Sequence, residues 1–255
     1  MLEGLNEKIE NDIDRRENGC ATFNSFILFF IVSAPMPQKL VIFGVSNIVS
    51  DLFDCALALG MDIAKVVVHL PEQVNERDVS LSDRIAALQA FGQHPAVQKV
   101  EEFAPGPDEV YMLGPTTPTR SALAAILHEK FGMRFGTLVH PTAYVSPLAS
   151  LSEGVFVGAN SVIGPGARLA RHVFINRGVT IGHDTHIESF SRVLPGANIG
   201  GLTRIGHGVT IAIGATVTER LVIGDRAFIG AAAVVNADVA AETTVIGGRS
   251  KAGII

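Results

Sequence analysis

The sequence predicts a small α/β domain followed by a parallel β-helix, and two observations support this fold class. Between Lys39 and about residue 137, apolar β-branched segments alternate with segments of helical periodicity, a pattern typical of a short parallel sheet with packed helices. From Val139 onward an aliphatic residue recurs at every sixth position, with no insertion as far as Val235. Such a repeat indicates a β-helix built from hexapeptides. We expect the α/β domain to span residues 37–137 and the β-helix to span 138–255.

Composition narrows the class of protein. The chain has 255 residues, of which 47% are hydrophobic, and a formal net charge of −5. This balance offers no electrostatic reason to bind nucleic acid. Two cysteines, Cys20 and Cys55, are too few for a disulfide framework, which fits a reducing compartment. We therefore expect a cytoplasmic protein that binds no nucleic acid.

Residues 1–36 fit neither domain. The continuous apolar run from Phe26 to Val32 has seven residues, whereas a membrane span needs roughly 20. The segment before this run carries several acidic residues, unlike the basic start of a signal peptide. We expect no membrane association and interpret residues 1–36 as a disordered or non-native extension, with Met36 as the working start.

Strands and helices alternate through the α/β domain. The expected strands are Lys39–Val45, Asp62–Leu70 and Asp108–Gly114, and the expected helices are Asn47–Gly60, Asp78–Gly92 and Thr117–Gly132. Ser82 and Thr117 are the expected N-caps of the last two helices, with Pro118 at the start of the third. Gly60 and Gly132 end the first and third helices.

The repeat assigns a role to each position of the hexapeptide. The residue four positions after each aliphatic residue is small in nearly every repeat, which suits a narrow interior. The residue directly after the aliphatic one is often glycine, and we expect these glycines to form corners that other residues reach only at a cost. They are Gly158, Gly164, Gly182, Gly200, Gly206, Gly224 and Gly230. Each coil should cover the edge of the coil below it.

This array resembles the left-handed parallel β-helix acyltransferases, in which three hexapeptides form one coil and residues 18 apart stack. The stretches TRSALAAILHEKFG and GTLVHPTAYVSP are also similar to the junction found in bacterial sugar-nucleotide N-acetyltransferases and sialic-acid O-acetyltransferases. The resemblance implies a Rossmann-like N-terminal domain, a left-handed β-helix and a homotrimer. It also implies transfer of an acyl group from an acyl-CoA, expected to be acetyl-CoA, to an amino group of a nucleotide-linked or related sugar.

The resemblance also assigns site residues. The segment INRGVTIGHDTHIESF matches the coil that carries the general base in this family, which places the base at His183 and its orienting carboxylate at Asp184. Gly201 falls where the family uses a backbone N–H to hold the thioester oxygen. Its separation of 18 residues from His183 independently predicts that the two stack, so that a base and an oxyanion donor face one carbonyl.

Further positions follow from the same resemblance. Ile213 and Ala231 occupy positions that line the acyl-CoA channel, and Arg249 and Lys251 are expected to contact CoA phosphates. Arg192 stands where many relatives carry a second histidine, nine residues after the base. The candidates for acceptor binding are Arg192 and three residues of the first strand-to-helix turn, Gly44, Ser46 and Asn47.

Alternative functions remain open at this point. The γ-type carbonic anhydrases share the fold and a similar IGH stretch, but their zinc needs a second histidine five residues later, where this chain has Glu188. We therefore expect no metal. The repeat contains no cysteine, which excludes a cysteine acyl-enzyme there. The acceptor group could instead be a sugar hydroxyl or another small molecule, or the chain could be a non-catalytic β-helix scaffold.

Overall fold

The structure, a computed structural model, describes residues 38–72 and 74–247. The described residues from Lys39 onward belong to one compact unit. The predicted extension at residues 1–36 and the predicted CoA contacts Arg249 and Lys251 lie outside the described residues. Within the described part, no helix is long and apolar enough to cross a lipid bilayer.

The first part is a four-stranded parallel sheet with three helices, as the alternation predicts. The strands are β1 (Lys39–Phe43), β2 (Asp62–Val68), β3 (Ala96–Lys99) and β4 (Glu109–Leu113), and the helices are α1 (Val49–Ala58), α2 (Leu81–Leu88) and α3 (Arg120–Phe131). The strand order is β3-β2-β1-β4. Because the order reverses between β1 and β4, the crevice at their carboxyl ends is where ligands bind in open α/β sheets.

Three details of this part differ from the sequence prediction. Strand β3 was not predicted, because its residues are largely exposed at the edge of the sheet and lack an apolar run. The N-cap of α2 is Ser80 rather than Ser82, since the Ser80 hydroxyl accepts a hydrogen bond from the Asp83 N–H at 3.1 Å. Helix α3 begins at Arg120, so Thr117 is not its N-cap and Pro118 lies before its first turn.

The second part is a β-helix of two-residue strands stacked in three columns, which we call faces 1, 2 and 3. Face 1 contains β5 (Leu138–Val139), β8 (Phe156–Val157), β11 (Phe174–Ile175), β14 (Arg192–Val193), β17 (Thr210–Ile211), β20 (Phe228–Ile229) and β22 (Thr244–Val245). Face 2 contains β6 (Tyr144–Val145), β9 (Val162–Ile163), β12 (Thr180–Ile181), β15 (Asn198–Ile199), β18 (Thr216–Val217) and β21 (Val234–Val235). Face 3 contains β7 (Ser150–Leu151), β10 (Arg168–Leu169), β13 (His186–Ile187), β16 (Arg204–Ile205) and β19 (Val222–Ile223).

The predicted register of 18 residues is confirmed by the strand pairing. Ile181, for example, pairs with Ile163 below and Ile199 above, and all neighbouring strands are parallel. The aliphatic residues from Val157 to Val235 are buried. The small residues between them are buried too, and where they are polar their hydroxyls bond to carbonyls of the coil. Thr185 Oγ1, for instance, donates to the Gly200 carbonyl at 3.0 Å.

The corners are built differently from our prediction. The residue with a positive φ is the third after each aliphatic residue, recurring at every sixth position from Gly154 to Ala232. The glycines directly after the aliphatic residues have no positive φ and instead allow close approach, because a methyl group at Gly182 would clash with Gly201 N in the next coil. Asp184, with φ of 54°, is therefore a left-handed corner residue, a conformation that Asp and Asn tolerate better than most residues.

The α/β part covers the start of face 1. The outward residues Leu138, Phe156 and Phe174 lie in one apolar cluster with residues of β1 and α1, and the two phenylalanine rings stack with centroids 4.6 Å apart. Arg120, 4% exposed, ties the two parts together by donating to the carbonyls of His172 and Ser191.

His172 is a buried imidazole at this junction. Its ring lies between Phe135 and Phe190, with centroids 4.8 Å away in both cases. Burial, with a smaller contribution from the charge of Arg120, lowers the pKa of His172 from 6.5 to about 4. The unfolded chain therefore takes up this proton at a higher pH than the folded chain does, and acid favours unfolding.

We expect the His172→Phe variant to lose part of the acid sensitivity of the fold. In the parent chain, the stabilisation from the neutral imidazole is complete above pH 6.5 and is lost as the pH falls toward about 4. The loss should amount to about 1–3 kcal/mol after allowance for solvent screening. Urea unfolding at several pH values measures this change in the free energy of unfolding. The control is His94→Phe, because His94 is exposed to solvent. Equal pH slopes for the parent and His172→Phe between pH 4 and 6.5 would contradict this interpretation.

Candidate functional site

His183 and Asp184 lie at the corner between faces 2 and 3, in the turn that joins β12 to β13. His183 Nδ1 is 2.9 Å from Asp184 Oδ2, and the two side chains are 55% and 58% exposed. Because a carboxylate only accepts hydrogen bonds, the proton of the neutral imidazole resides on Nδ1. Nε2 is then left with a lone pair, which is the arrangement of a histidine base oriented by a carboxylate.

The backbone and the preceding coil hold Asp184 in place. Its N–H donates to the Pro165 carbonyl at 2.9 Å. Its carboxylate lies against Gly166, one coil earlier, where a methyl group would clash with Asp184 Oδ1. Gly166 was not singled out from the sequence, although its position 18 residues before Asp184 was sufficient to find it.

Gly201 lies directly beside the imidazole, as the spacing of 18 predicts. A methyl group at position 201 would lie 2.6 Å from His183 Nε2, so the ring occupies the space that any other residue would fill. The Gly201 N–H forms no hydrogen bond with any residue that the structure describes. A lone-pair nitrogen and an unused backbone donor therefore meet at one corner.

Ile213 and Ala231 border face 2 along the edge opposite to His183 and Gly201. Both are exposed at the corner between faces 1 and 2, one coil apart, where the Ala232 N–H bonds to the Ile213 carbonyl at 2.9 Å. Three outward side chains between the two corners are polar: Thr180 Oγ1 lies 2.7 Å from Asn198 Oδ1, and Thr216 follows in the next coil. The coil of Ala231 adds an exposed apolar side chain, Val234. Face 2 is thus a strip flanked by His183 and Gly201 at one edge and by Ile213 and Ala231 at the other.

Arg192 is not part of this corner. It lies on face 1, where its Nε donates to Thr210 Oγ1 at 3.1 Å. It makes no ion pair with Asp184, so the two are separate features of the structure.

The predicted acceptor loop after β1 is already hydrogen-bonded within the fold. Gly44 has φ of 80° and packs against His69 and Pro115, while Ser46 Oγ donates to the Gly114 carbonyl at 2.8 Å. The latter bond bridges the crevice between β1 and β4.

The third residue of that loop, Asn47, is likewise occupied. Its amide bonds to Asp78 at 2.8 Å and to Arg84 at 3.2 Å. The loop residues predicted to bind an acceptor therefore hold their own turn together, and their role toward a ligand stays a prediction.

The described part of the chain contains no group of three or more His, Cys, Asp and Glu side chains arranged to hold a metal ion. Glu188 lies at the end of β13, beyond His186. The prediction that no metal is required rests on the sequence.

The sequence matches no known family model, and no curated protein matches it significantly. Solved structures do match. The acetyltransferase domain of PglB from Neisseria gonorrhoeae is 24% identical, with 82% of this chain and 97% of that chain covered and a TM-score of 0.68. The same domain has been solved in complex with acetyl coenzyme A.

Two further structures share the architecture. A histidine-to-asparagine variant of perosamine N-acetyltransferase from Caulobacter crescentus, in complex with CoA and GDP-perosamine, is 19% identical, with 84% of this chain and 96% of that chain covered and a TM-score of 0.68. WeeI from Acinetobacter baumannii is 19% identical, with coverages of 82% and 96% and a TM-score of 0.53. The predicted fold, an α/β domain followed by a left-handed β-helix, is confirmed, and the resemblance drawn from the sequence holds for the architecture.

We expect the Gly201→Ala variant to displace the His183 imidazole while leaving the fold intact. Gly201 has no positive φ, so the backbone accepts alanine. The added methyl group, however, would lie 2.6 Å from Nε2 of a side chain that is free to swing outward. Nitrogen-15 NMR of the imidazole should report loss of the Nδ1–H···Asp184 bond, with the melting temperature within roughly 3 °C of the parent.

Asp184→Asn provides the reference spectrum, because it removes the carboxylate directly. An unchanged His183 spectrum in Gly201→Ala would show that the ring does not occupy the space above Gly201.

Proposed function

We propose that this protein is an acyl-CoA-dependent acetyltransferase that transfers an acetyl group from acetyl-CoA to an amino group of a nucleotide-linked or related sugar. The observation that carries the proposal is the corner at which His183 Nε2, oriented through the 2.9 Å bond from Nδ1 to Asp184, lies against Gly201. We infer that this pair serves chemistry and not the coil, because the six-residue period requires neither a histidine nor an aspartate at these two positions.

The chemistry follows from the three groups. The acceptor nitrogen attacks the thioester carbon while Nε2 of His183 removes a proton from that nitrogen. The carboxylate of Asp184 keeps the proton of the neutral ring on Nδ1 and stabilises the imidazolium that forms. In this proposal the Gly201 N–H stabilises the oxyanion of the tetrahedral intermediate. Collapse of the intermediate breaks the carbon–sulfur bond, and the imidazolium of His183 returns its proton to the departing sulfur, so CoA leaves as the free thiol and the neutral base is restored. No covalent enzyme intermediate forms.

The comparisons support the choice of reaction. Structures of the same architecture include one acetyltransferase domain in complex with acetyl coenzyme A and one perosamine N-acetyltransferase in complex with CoA and GDP-perosamine. By analogy we assign face 2, with Gly201, Ile213 and Ala231 at its edges, to acetyl-CoA. We assign the α/β domain, residues 37–137, to the acceptor.

The assembly and the compartment are parts of the same proposal. The corner at His183 is open to solvent, with a side-chain exposure of 55%, whereas efficient acyl transfer needs a site shielded from water. A neighbouring copy against face 2 would provide that shield. We propose that this copy belongs to the homotrimer that the resemblance implies. We place the protein in the cytoplasm, where acetyl-CoA and activated sugars are available.

The direct test mixes the purified protein with acetyl-CoA and a panel of 4-amino sugar nucleotides and follows the release of free thiol. We expect turnover with at least one acceptor, and mass spectrometry of the product should show an N-acetyl group. An O-acetyl product would retain the mechanism and change the acceptor class. Absence of turnover with every acceptor, together with no thermal shift on adding CoA, would refute the proposal in favour of a scaffold.

We expect His183→Ala to lower kcat by about a hundredfold or more with a modest change in KM, because the variant loses proton removal but keeps substrate binding. Steady-state kinetics of thiol release measures both constants. His186→Ala, three residues away on face 3, is the matched control and should stay within about threefold of the parent. Near-parental turnover by His183→Ala would refute the assignment of the base.

A further inference from the structure

Leu202 is an aliphatic side chain at the corner that carries His183. It directly follows Gly201 in the chain, and it stacks one coil beyond Asp184, because the two positions are 18 residues apart. Its N–H donates to the His183 carbonyl at 2.8 Å. The backbone of Leu202 is therefore bonded to the candidate base, and its side chain belongs to the same corner.

The backbone conformation at Leu202 is unfavourable for a leucine. Its φ is 60°, in the left-handed region where glycine, asparagine and aspartate are favoured and a bulky side chain is an outlier. Phe190, another bulky residue at an equivalent corner position, stacks on the buried ring of His172. Residues held in such conformations cluster at functional sites.

Packing within the fold does not account for the leucine. The side chain is 39% exposed, and Leu202 belongs to none of the three apolar clusters formed by the described residues. One coil further on, the corner residues Glu219 and Arg220 are charged and largely exposed. The fold itself therefore gains little from an aliphatic side chain at this position.

Side chains at this corner position lean toward the preceding coil. Asp184 Oδ1 lies against Gly166, and His172 Nδ1 lies against Gly154, where in each case a methyl group on the glycine 18 residues earlier would clash. The same geometry at Leu202 directs its side chain toward Asp184. An aliphatic group then lies beside the carboxylate that orients the base.

The direction of the thioester follows from the site as assigned above. Its carbonyl oxygen is assigned to the Gly201 N–H, and its CoA portion is assigned to face 2. The chain runs from β15 on face 2 through Gly201 and Leu202 to β16 on face 3. Because the oxygen and the sulfur take two of the three directions around the carbonyl carbon, the acyl chain points along the third, away from face 2 and toward Leu202.

We propose that Leu202 contacts the acyl group of the thioester and restricts it to acetyl. This inference rests on the proposed function, because it requires acyl transfer at this corner, and it adds the size of the acyl group. The methyl group of acetyl contacts the leucine side chain, whereas the further carbons of a butyryl group would need the space that the leucine occupies. Leu202 is thus a specificity-determining residue that takes no part in proton transfer.

The test compares acetyl-CoA with butyryl-CoA in the thiol-release assay, with an acceptor that the parent acetylates. We expect the parent to prefer acetyl-CoA by about tenfold or more in kcat/KM, the discrimination that a methylene or two gives in an apolar site. Leu202→Ala removes the branched end of the side chain, and Ala232, with φ of 54°, shows that alanine adopts this corner conformation. The variant should lower the preference for acetyl-CoA by about fivefold or more.

Leu148→Ala is the matched control, because Leu148 lies at the same corner, two coils before Asp184, and is 75% exposed. It should keep the parental preference. Leu202→Asn tests for a packing role, because asparagine suits the φ of 60° and should melt within roughly 3 °C of the parent. A larger loss would assign Leu202 to the packing of the fold and overturn the inference. If Leu202→Ala does not fold, Leu202→Gly, which also suits this φ, decides by the same criterion.

The same assay separates this inference from the proposed function. Acetyl transfer by a parent that does not prefer acetyl-CoA, or an unchanged preference in Leu202→Ala, would overturn the inference and leave the acetyltransferase standing. An equal loss of kcat with both thioesters would also overturn it, because the effect would then lie on the pair of His183 and Asp184. Thiol release from neither thioester would refute the proposed function, and the role of Leu202 with it.

Discussion

The stacking of residues 18 positions apart is the constraint on which the rest of this structure depends. Each coil hydrogen-bonds to the next coil and packs against it. A side chain at a corner therefore fits only if the corners above and below leave room for it. At the candidate site this room is made by two glycines. Gly166 admits the carboxylate of Asp184 from one side, and Gly201 admits the imidazole of His183 from the other. The site therefore spans three coils although its two functional side chains are adjacent in the chain.

Asp184 combines a structural position in the β-helix repeat with a proposed chemical role. From Gly154 to Ala232, each corner of the β-helix contains one residue with a positive φ, and glycine occupies many of these positions. Asp tolerates that conformation because its short side chain bonds locally, and here the bond goes to His183 Nδ1. The backbone conformation of Asp184 that forms the corner therefore also positions its carboxylate against the imidazole.

The junction between the two parts is governed by burial rather than by complementary charge. Aromatic residues of face 1 complete the apolar cluster beneath β1 and α1, and the buried guanidinium of Arg120 is solvated by carbonyls from both parts. Arg192 lies where this apolar contact ends, and it forms no ion pair with any of the described residues.

The sequence correctly predicted the features that the six-residue repeat determines. The six-residue phase determines which side chains point inward, and the separation of 18 residues is sufficient to predict that Gly201 lies beside His183. It was less successful where the determinants are local and irregular. Strand β3 has no apolar run, because it lies at an exposed edge. The N-caps of α2 and α3 differ from the predicted residues, because several Ser and Thr residues lie close to each helix start.

By itself, the sequence determined the β-helix, its register, and the stacking of a histidine, an aspartate and a glycine at one corner, because an uninterrupted period leaves no freedom in how the coils align. Only the tertiary structure decided which corner residue carries the positive φ, that the residues of the loop after β1 hydrogen-bond within the fold, and that Arg192 lies next to the buried Arg120. Those features depend on contacts between segments distant in the chain, and no period in the sequence encodes them.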